Sequence, residues 1–440
     1  MIDVIIKHGL KYFSATLISS LIALLMTKYY TMVFNPAEFG VLALYLVMFK
    51  YIATLVSLNM DGSSTRLYFD YGETRRDEYL STIFWFITMM AMLVLVIGLS
   101  VMPIVVAWIS PGTQWVYLVT LISGIGSVYV SFLMRILYNQ QRSTSVFKHT
   151  LFQTFVNHLS SVILISVWHG GILGRISGQG VGYFLNVFTL LKEFSKKNLF
   201  RLRLHFNQEM AKETFLLALP TMIASLQTVV FIYLDRIFIK HYIGDSAVGI
   251  YSLGYILGQG LSMVNNAISQ AILPKVYNGM NADYEAAKQE LESFSYKYYA
   301  GLILITVTLS LLSPFLVELL SNENYHEAAL VMPFIMAGFM MGGLYKVASL
   351  LLGYHKVVWF YPVLALVSFG LNAVLNWWLI PLYGIMGSSL ASFLGLFVYS
   401  AVVQTVSFNY LSSKYRMIVT VAYVMILAVV LYLFSGAESV

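Results

Sequence analysis

Long apolar stretches broken by short polar ones recur from one end of the chain to the other. They fall near 9–30, 38–59, 81–108, 115–138, 148–168, 171–192, 214–240, 245–272, 296–320, 327–353, 358–380, 384–409 and 415–434. As helices, such stretches are long enough to cross the ~30 Å of hydrocarbon in a bilayer. Backbone groups in lipid must bond within their own segment, so the pattern predicts an all-α polytopic membrane protein of thirteen spans. A membrane β-barrel would instead alternate in segments of about ten residues. The first twelve spans form two sets of six, and the thirteenth follows them. The expected organisation is a bundle over 1–192, a basic linker over 193–213, a second bundle over 214–409 and an added C-terminal helix over 410–440.

The halves repeat each other in sequence. AEFGVLAL in the second span answers SAVGIYSL in the eighth, aligning Gly40 with Gly249 and Leu44 with Leu253, and GILG opens the sixth as GIMG opens the twelfth. Equivalent spans run in the same direction, so the repeat is parallel, with its axis along the membrane normal. Placing the N-terminus in the cytoplasm puts 20 of the 26 Lys and Arg residues on inner connections, including the segment KEFSKKNLFRLRLHFNQEMAKE. The positive-inside bias therefore fixes the topology. No small-residue cleavage site follows the first apolar stretch, which is read as a retained span.

Composition narrows the classes further. The chain is 59% hydrophobic and 10% charged, against about 45–50% and about 25% for soluble domains. Its net charge of +6 is concentrated on inner connections, which argues for membrane lipids and against nucleic acid as partners. It has no cysteine, which excludes disulfides, thiolate catalysis and cysteine-ligated metals. There is no P-loop, zinc-spaced His pair, nucleophile elbow or dinucleotide fingerprint, so no cofactor or catalytic residue is expected. Work must then come from an ion gradient, the membrane potential or downhill substrate flow.

Four pieces resemble a known family. They are NPAEFGVLAL, LDRIFIKHYIGDSAVGIYSLGYI, RLYFDYGETRRDEY and LNAVLNWWLIPLYGIMGSSLAS, the last with Asn372 and Asn376 before Ile380-Pro381 and with Gly384 and Gly387. The chain is similar to the polysaccharide-transporter branch of the multidrug, oligosaccharidyl-lipid and polysaccharide exporter superfamily, which includes bacterial O-antigen flippases. The resemblance implies two six-helix bundles about a central cavity that open alternately to the two sides. It also implies a substrate whose oligosaccharide is joined through pyrophosphate to a polyprenyl lipid, residence in the bacterial inner membrane, and other polysaccharide-assembly membrane proteins as partners.

Six cations escape the inner connections: Lys28, Lys50, Arg175, Arg236, Lys240 and Lys346. A cation at bilayer depth costs at least ~2.5–3.5 kcal/mol on insertion scales, so each is a candidate for contact with an anionic substrate. Lys50 lies twelve residues after Glu38, near the middle of its span. Lys50, Thr54, Ser57 and Asp61 share the face of one continuous helix, and Gln259, Ser262, Asn266 and Ser269 do so in the equivalent span. The alternative for each stripe is interhelical hydrogen bonding. Arg236 and Lys240 are spaced i and i+4 near an outer helix end, where reaching a headgroup is the competing explanation. Arg175 stands where the other half has Ser388. Asp235, then Glu318, are the candidates for ion coupling. His158 and His169 fit a hydrogen-bonded or interfacial role better than a proton relay.

Two rival classes remain at this point. A multidrug or ion antiporter of the same superfamily would want buried carboxylates for organic cations, whereas the displaced charges here are mostly basic. A membrane polysaccharide polymerase should carry a long outer loop, and none is seen.

Overall fold

Side-chain caps mark the starts of three of the long helices. Asn35 and Glu38 close a reciprocal capping box, with Glu38 N donating to Asn35 Oδ1 at 2.9 Å and Asn35 N to Glu38 Oε2 at 3.0 Å. Asn207 Oδ1 accepts from the amides of Glu209 and Met210, and Asp283 Oδ1 from that of Ala286. The computed structural model describes residues 2–357 and 359–437. Among them the chain is helical without strands. The first half holds α1 (Ile2–Val33), α2 (Pro36–Ser57), α3 (Met60–Asp70), α4 (Gly72–Ile109), α5 (Gln114–Asn139), α6 (Ser143–Ser166) and α7 (Gly171–Lys197). The second holds α8 (Gln208–Tyr242), α9 (Asp245–Gly258), α10 (Gly260–Ala282), α11 (Tyr284–Leu311), α12 (Ser313–Leu320), α13 (Ala328–Tyr354), α14 (Tyr361–Ser407) and α15 (Ser413–Ala437).

Among the described residues nine helical stretches are long and apolar enough to span a bilayer, α14 being counted once although Gly384 divides it. The expected spans 148–168, 171–192 and 214–240 form α6, α7 and α8, which fall outside these nine. For α6 and α7 the reason is their polar side chains, which bond to each other. His149 Nδ1 meets Asn186 Oδ1 at 2.8 Å, and Asn186 Nδ2 donates to Gln153 Oε1 at 2.8 Å. The span expected from 358 begins at Val358, which lies outside the described residues.

The chain forms two compact units, Met1–Phe34 with Val41–Val230 and Asn35–Gly40 with Phe231–Val440. In unit 1, α6 packs on α1 and α7, and α7 also on α5. The basic segment after α7 lies along α4 as an extended strap. The amides of Arg203 and Asn207 donate to Ser81 Oγ at 2.9 Å and Thr82 Oγ1 at 3.2 Å, and Trp85 Nε1 donates to the Arg203 carbonyl at 2.8 Å. Gln140 Nε2 donates to the Leu199 carbonyl, and the Phe200 ring packs on Phe132. From Arg201 to Phe206 the strap's side chains are exposed, Leu204 to 92%.

Unit 2 is built around α13, which packs on α9, α10, α11, α12 and α14. The thirteenth apolar stretch forms α15, whose Tyr415, Val419, Tyr423, Val430 and Phe434 enter the same core. In the first turns of α2 and α9, glycine allows a close reciprocal contact. A Cβ on Gly40 would lie 1.9 Å from the Asp245 carbonyl oxygen, and one on Gly249 1.9 Å from that of Pro36. This matches residue for residue the repeat register read from the sequence.

Candidate functional site

An enclosed polar site lies in unit 2, where α8, α9, α13 and α14 meet around Asp235. Gly384 (φ 60°, ψ −140°) breaks α14 in a conformation only glycine adopts readily. Asn372 and Asn376 stand one turn apart before the break, and Ser388 and Ser392 one turn apart after it. Ser388 Oγ donates to Asn376 Oδ1 at 2.7 Å, Asn376 Nδ2 to the Asn372 carbonyl at 2.9 Å, and Asn372 Nδ2 to Ser392 Oγ at 3.4 Å. Ser392 Oγ then donates to Asp235 Oδ2 at 3.1 Å, as does the Tyr251 hydroxyl.

Arg236, 3% exposed, lies with Nη1 3.8 Å from Asp235 Oδ2 and its guanidinium 4.1 Å from the centre of the Tyr255 ring. Tyr251 and Tyr233 flank it at 5.2 and 5.4 Å. A buried pair of this kind is held by its geometry and hydrogen bonds, since desolvation opposes it. Asp235 Oδ1 accepts no hydrogen bond among the described residues. Beside it is a cavity of about 20 Å³, lined by Asp235, Tyr255, Phe339 and Ser392, large enough for one water or a small cation.

The equivalent junction of unit 1 has different chemistry. Gly171 (φ 50°) and Gly174 stand where unit 2 has Gly384 and Gly387. The second glycine abuts the preceding helix in both cases. A Cβ added to Gly174 would lie 3.1 Å from the Leu164 carbonyl oxygen, and one added to Gly387 2.3 Å from that of Leu379. The glycines set Arg175 opposite Ser388, and the carbonyls they meet, Leu164 and Leu379, set Ser161 opposite Asn376. Arg175 Nη1 donates to Ser161 Oγ at 3.4 Å, and its guanidinium lies 4.8 Å from the centre of the Tyr30 ring, whose hydroxyl meets His158 Nδ1 at 3.0 Å. Met26 occupies the position of Asp235 in the register fixed by Gly40 and Gly249.

The other expected residues are distributed over both units. Lys50 is exposed on α2, and no described residue pairs with its ammonium; its carbonyl accepts from Thr54 Oγ1 at 2.9 Å. The expected continuous stripe stops at Ser57. Leu58 (φ 43°) and Asn59 (φ 56°) turn left-handed, Asn59 N donating to Ser57 Oγ, and Asp61 falls on α3. There it is buried and accepts from Ser131 Oγ. Lys28 is half-buried on α1.

In unit 2, Lys346 donates to Asn266, which brings two expected residues together across α13 and α10. Gln259 joins α9 to α10, its carbonyl accepting from Ser262 N at 2.9 Å, and Ser269 Oγ returns to the Asn265 carbonyl at 2.8 Å. Lys240, on the same helix as Arg236, pairs with Asp245 across the α8–α9 turn. Glu318 is exposed on α12, apart from the Asp235 cavity. Tyr251 and Ser392 were missed as site residues, and Asn372 and Asn376 were noted only as a motif. The available signal was a pair of polar residues one turn apart on each side of a glycine inside an apolar run.

The arrangement of bundled helices is the fold of the multidrug, oligosaccharidyl-lipid and polysaccharide exporter superfamily. Among solved structures it is similar to the lipid II flippase MurJ in an inward closed conformation (TM-score 0.70, 15% identity, 96% of this chain and 92% of that one). It is equally similar to an inward-facing multidrug resistance MATE family transporter (TM-score 0.70, 13% identity, 89% and 94%). A protein of the Lsg locus of Haemophilus influenzae is 22% identical over 286 residues, covering 63% of this chain and 67% of its own. A family model described as polysaccharide biosynthesis protein matches residues 5–278, more than half of the chain. The chain belongs to that family, and its nine long apolar helices among the described residues make it a multi-pass membrane protein.

Proposed function

We propose that this protein moves a polyprenyl-pyrophosphate-linked oligosaccharide, such as an O-antigen unit, from the inner to the outer leaflet of the bacterial cytoplasmic membrane by alternating access. In this reading the N-terminus is cytoplasmic, and other polysaccharide-assembly membrane proteins supply and consume the cargo. The observation that carries the proposal is Lys50, an exposed cation within an apolar helix and without a described counter-charge. A cation left so at bilayer depth calls for an anionic partner. Pyrophosphate offers several charged oxygens to charge-assisted hydrogen bonds, from lysine as a point charge and from arginine as a fork.

Lys28, Arg175 and Lys346 are the further cations of the path. Amides and hydroxyls such as Gln259, Asn266 and Ser57 suit sugar hydroxyls, which need donors and acceptors rather than charge. Arg236 and Lys240 hold buried or turn positions in this conformation and reach substrate only if those pairings open. Asp235 is proposed as the coupling group, its unpaired oxygen taking a proton or a small monovalent cation from the adjoining cavity. No covalent chemistry is involved.

The test is flipping of a lipid-linked oligosaccharide in proteoliposomes. Lys50→Ala should lower the rate at least about tenfold, as loss of a charge-assisted hydrogen bond predicts, and Lys50→Arg should restore most of it. An unchanged rate in Lys50→Ala would sink the proposal. Asp235 also favours a second reading, an ion-coupled antiporter of organic cations. That reading requires efflux of a cationic dye that is lost in Asp235→Asn and indifferent to Lys50→Ala.

A further inference from the structure

Unit 1 carries a second group of cations, away from Lys28, Lys50 and Arg175, on the face of the basic strap. A cleft of about 500 Å³ is lined there by Arg76, Arg142 and Lys197, together with Asn139, Gln140 and Asn198. No carboxylate is among the described residues that line it. Arg76 and Arg142 face this space without a carboxylate partner among the described residues, while Lys197 is already paired with Glu193, and like charges so placed repel each other unless an anion joins them. The volume is in the range of small-molecule sites.

The cleft is constructed from side chains held in place. Arg76 lies with its guanidinium 4.6 Å from the centre of the Tyr68 ring, and its buried Nε has no hydrogen-bond acceptor among the described residues. Arg142 Nε donates to Gln140 Oε1 at 3.0 Å, and among the described residues nothing binds its terminal nitrogens, which leaves them as a fork. Gln140 is fixed in turn by its bond to the Leu199 carbonyl at 3.2 Å, which ties the wall of the cleft to the strap. Lys197 shares its ammonium with Glu193 Oε1 at 2.6 Å, and Glu193 is already engaged by Ser145 and His149. Phe69, 61% exposed, forms part of the lining and gives the cleft an apolar edge.

We propose that this cleft binds a phosphate-bearing ligand, through the forks of Arg76 and Arg142 and the point charge of Lys197, with the amides of Asn139 and Asn198 meeting hydroxyls attached to the phosphate. The same chemistry fits the headgroup of an anionic phospholipid or a soluble phosphate compound. The site is independent of the transport path assigned above.

The full-length protein would be tested with two probes. Inorganic pyrophosphate would be titrated calorimetrically at low ionic strength. Retained lipid would be counted by native mass spectrometry after reconstitution in phosphatidylglycerol and in phosphatidylcholine nanodiscs. At least one probe should bind, pyrophosphate alone indicating a soluble ligand and phosphatidylglycerol enrichment alone a lipid headgroup. The double variant Arg76→Gln, Arg142→Gln should weaken that binding at least about tenfold. Arg76→Lys, which keeps the charge and loses the fork, should fall in between. Should the double variant fail to fold by circular dichroism and gel filtration, Arg142→Gln alone is measured against the same expectation. The proposal is overturned if neither probe binds the wild type, or if a folded variant lacking the arginine forks binds within about twofold of it.

Discussion

The two helix junctions opened by Gly171 and Gly384 share a backbone and differ in what they enclose. Each begins with a left-handed glycine, sets a second glycine against the helix before it, and bonds the residue after that glycine to the preceding helix. In unit 1 that residue is Arg175, stacked on Tyr30; in unit 2 it is Ser388, the end of a chain of amides and hydroxyls leading to Asp235. An internal repeat has thus kept the turn geometry while the charge diverged, cationic in one half and containing a buried carboxylate in the other. Shared glycines are explained by steric need, and the unshared residues are where function is to be sought.

Breaking the acidic side should have the largest effect. Asp235→Ala removes the carboxylate beside the buried Arg236 and is expected to destabilise the protein by about 3–5 kcal/mol, measured by thermal unfolding in detergent; Met26→Ala, at the equivalent position, should cost less. Gly387→Ala comes next, at about 1–3 kcal/mol, because its Cβ would meet a carbonyl that can move only with its helix. Gly174→Ala has nearly an ångström more room and should cost under about 1 kcal/mol, so an equal cost at both would undo the steric account. Arg175→Ser, which writes the unit 2 residue into unit 1, should lower stability by only about 0.5–1 kcal/mol, the size of a partly exposed cation–π contact. If Arg175 serves transport, flipping falls well beyond that.

The smallest effect concerns pH at the end of α7. Burial pushes the Glu193 carboxyl up, but the hydrogen bonds from Lys197, Ser145 and His149 outweigh it and hold it down at about 2. A carboxylate with a depressed folded value contributes stability above its ordinary range near 4.5, and that contribution is lost as pH falls toward 2. Unfolding midpoints between pH 5 and 2.5 should therefore fall more steeply in the wild type than in Glu193→Gln, and parallel curves would contradict the assignment.

The all-helical class, membrane residence and the internal repeat were legible in the sequence because hydropathy and a glycine register are local signals, whereas the thirteen expected spans compare with nine described helices long and apolar enough to cross a bilayer. The surroundings of Asp235 were not, since Tyr251 and Ser392 reach it from 16 and 157 residues away along the chain. The polar stripe from Lys50 to Asp61 was misread for a related reason. Leu58 and Asn59 turn left-handed without a glycine or proline to announce the break, so spacing alone extended the helix too far. Arg236 and Lys240 share a face of α8 as i and i+4 predicts, but the ion pair of Lys240 with Asp245 across the Gly244 turn was not legible from that spacing.

By composition the segment between α7 and α8 is where trypsin would be expected to cut a folded membrane protein, since Lys196 and Lys197 end one helix and Arg201 and Arg203 follow before the next begins. Its backbone, however, is fastened to α4 on both sides of Arg203, and a protease needs several consecutive residues released into its own cleft. Digestion there has to wait for the strap to lift from α4, so the cleavage rate becomes a gauge of local opening rather than of accessible arginine.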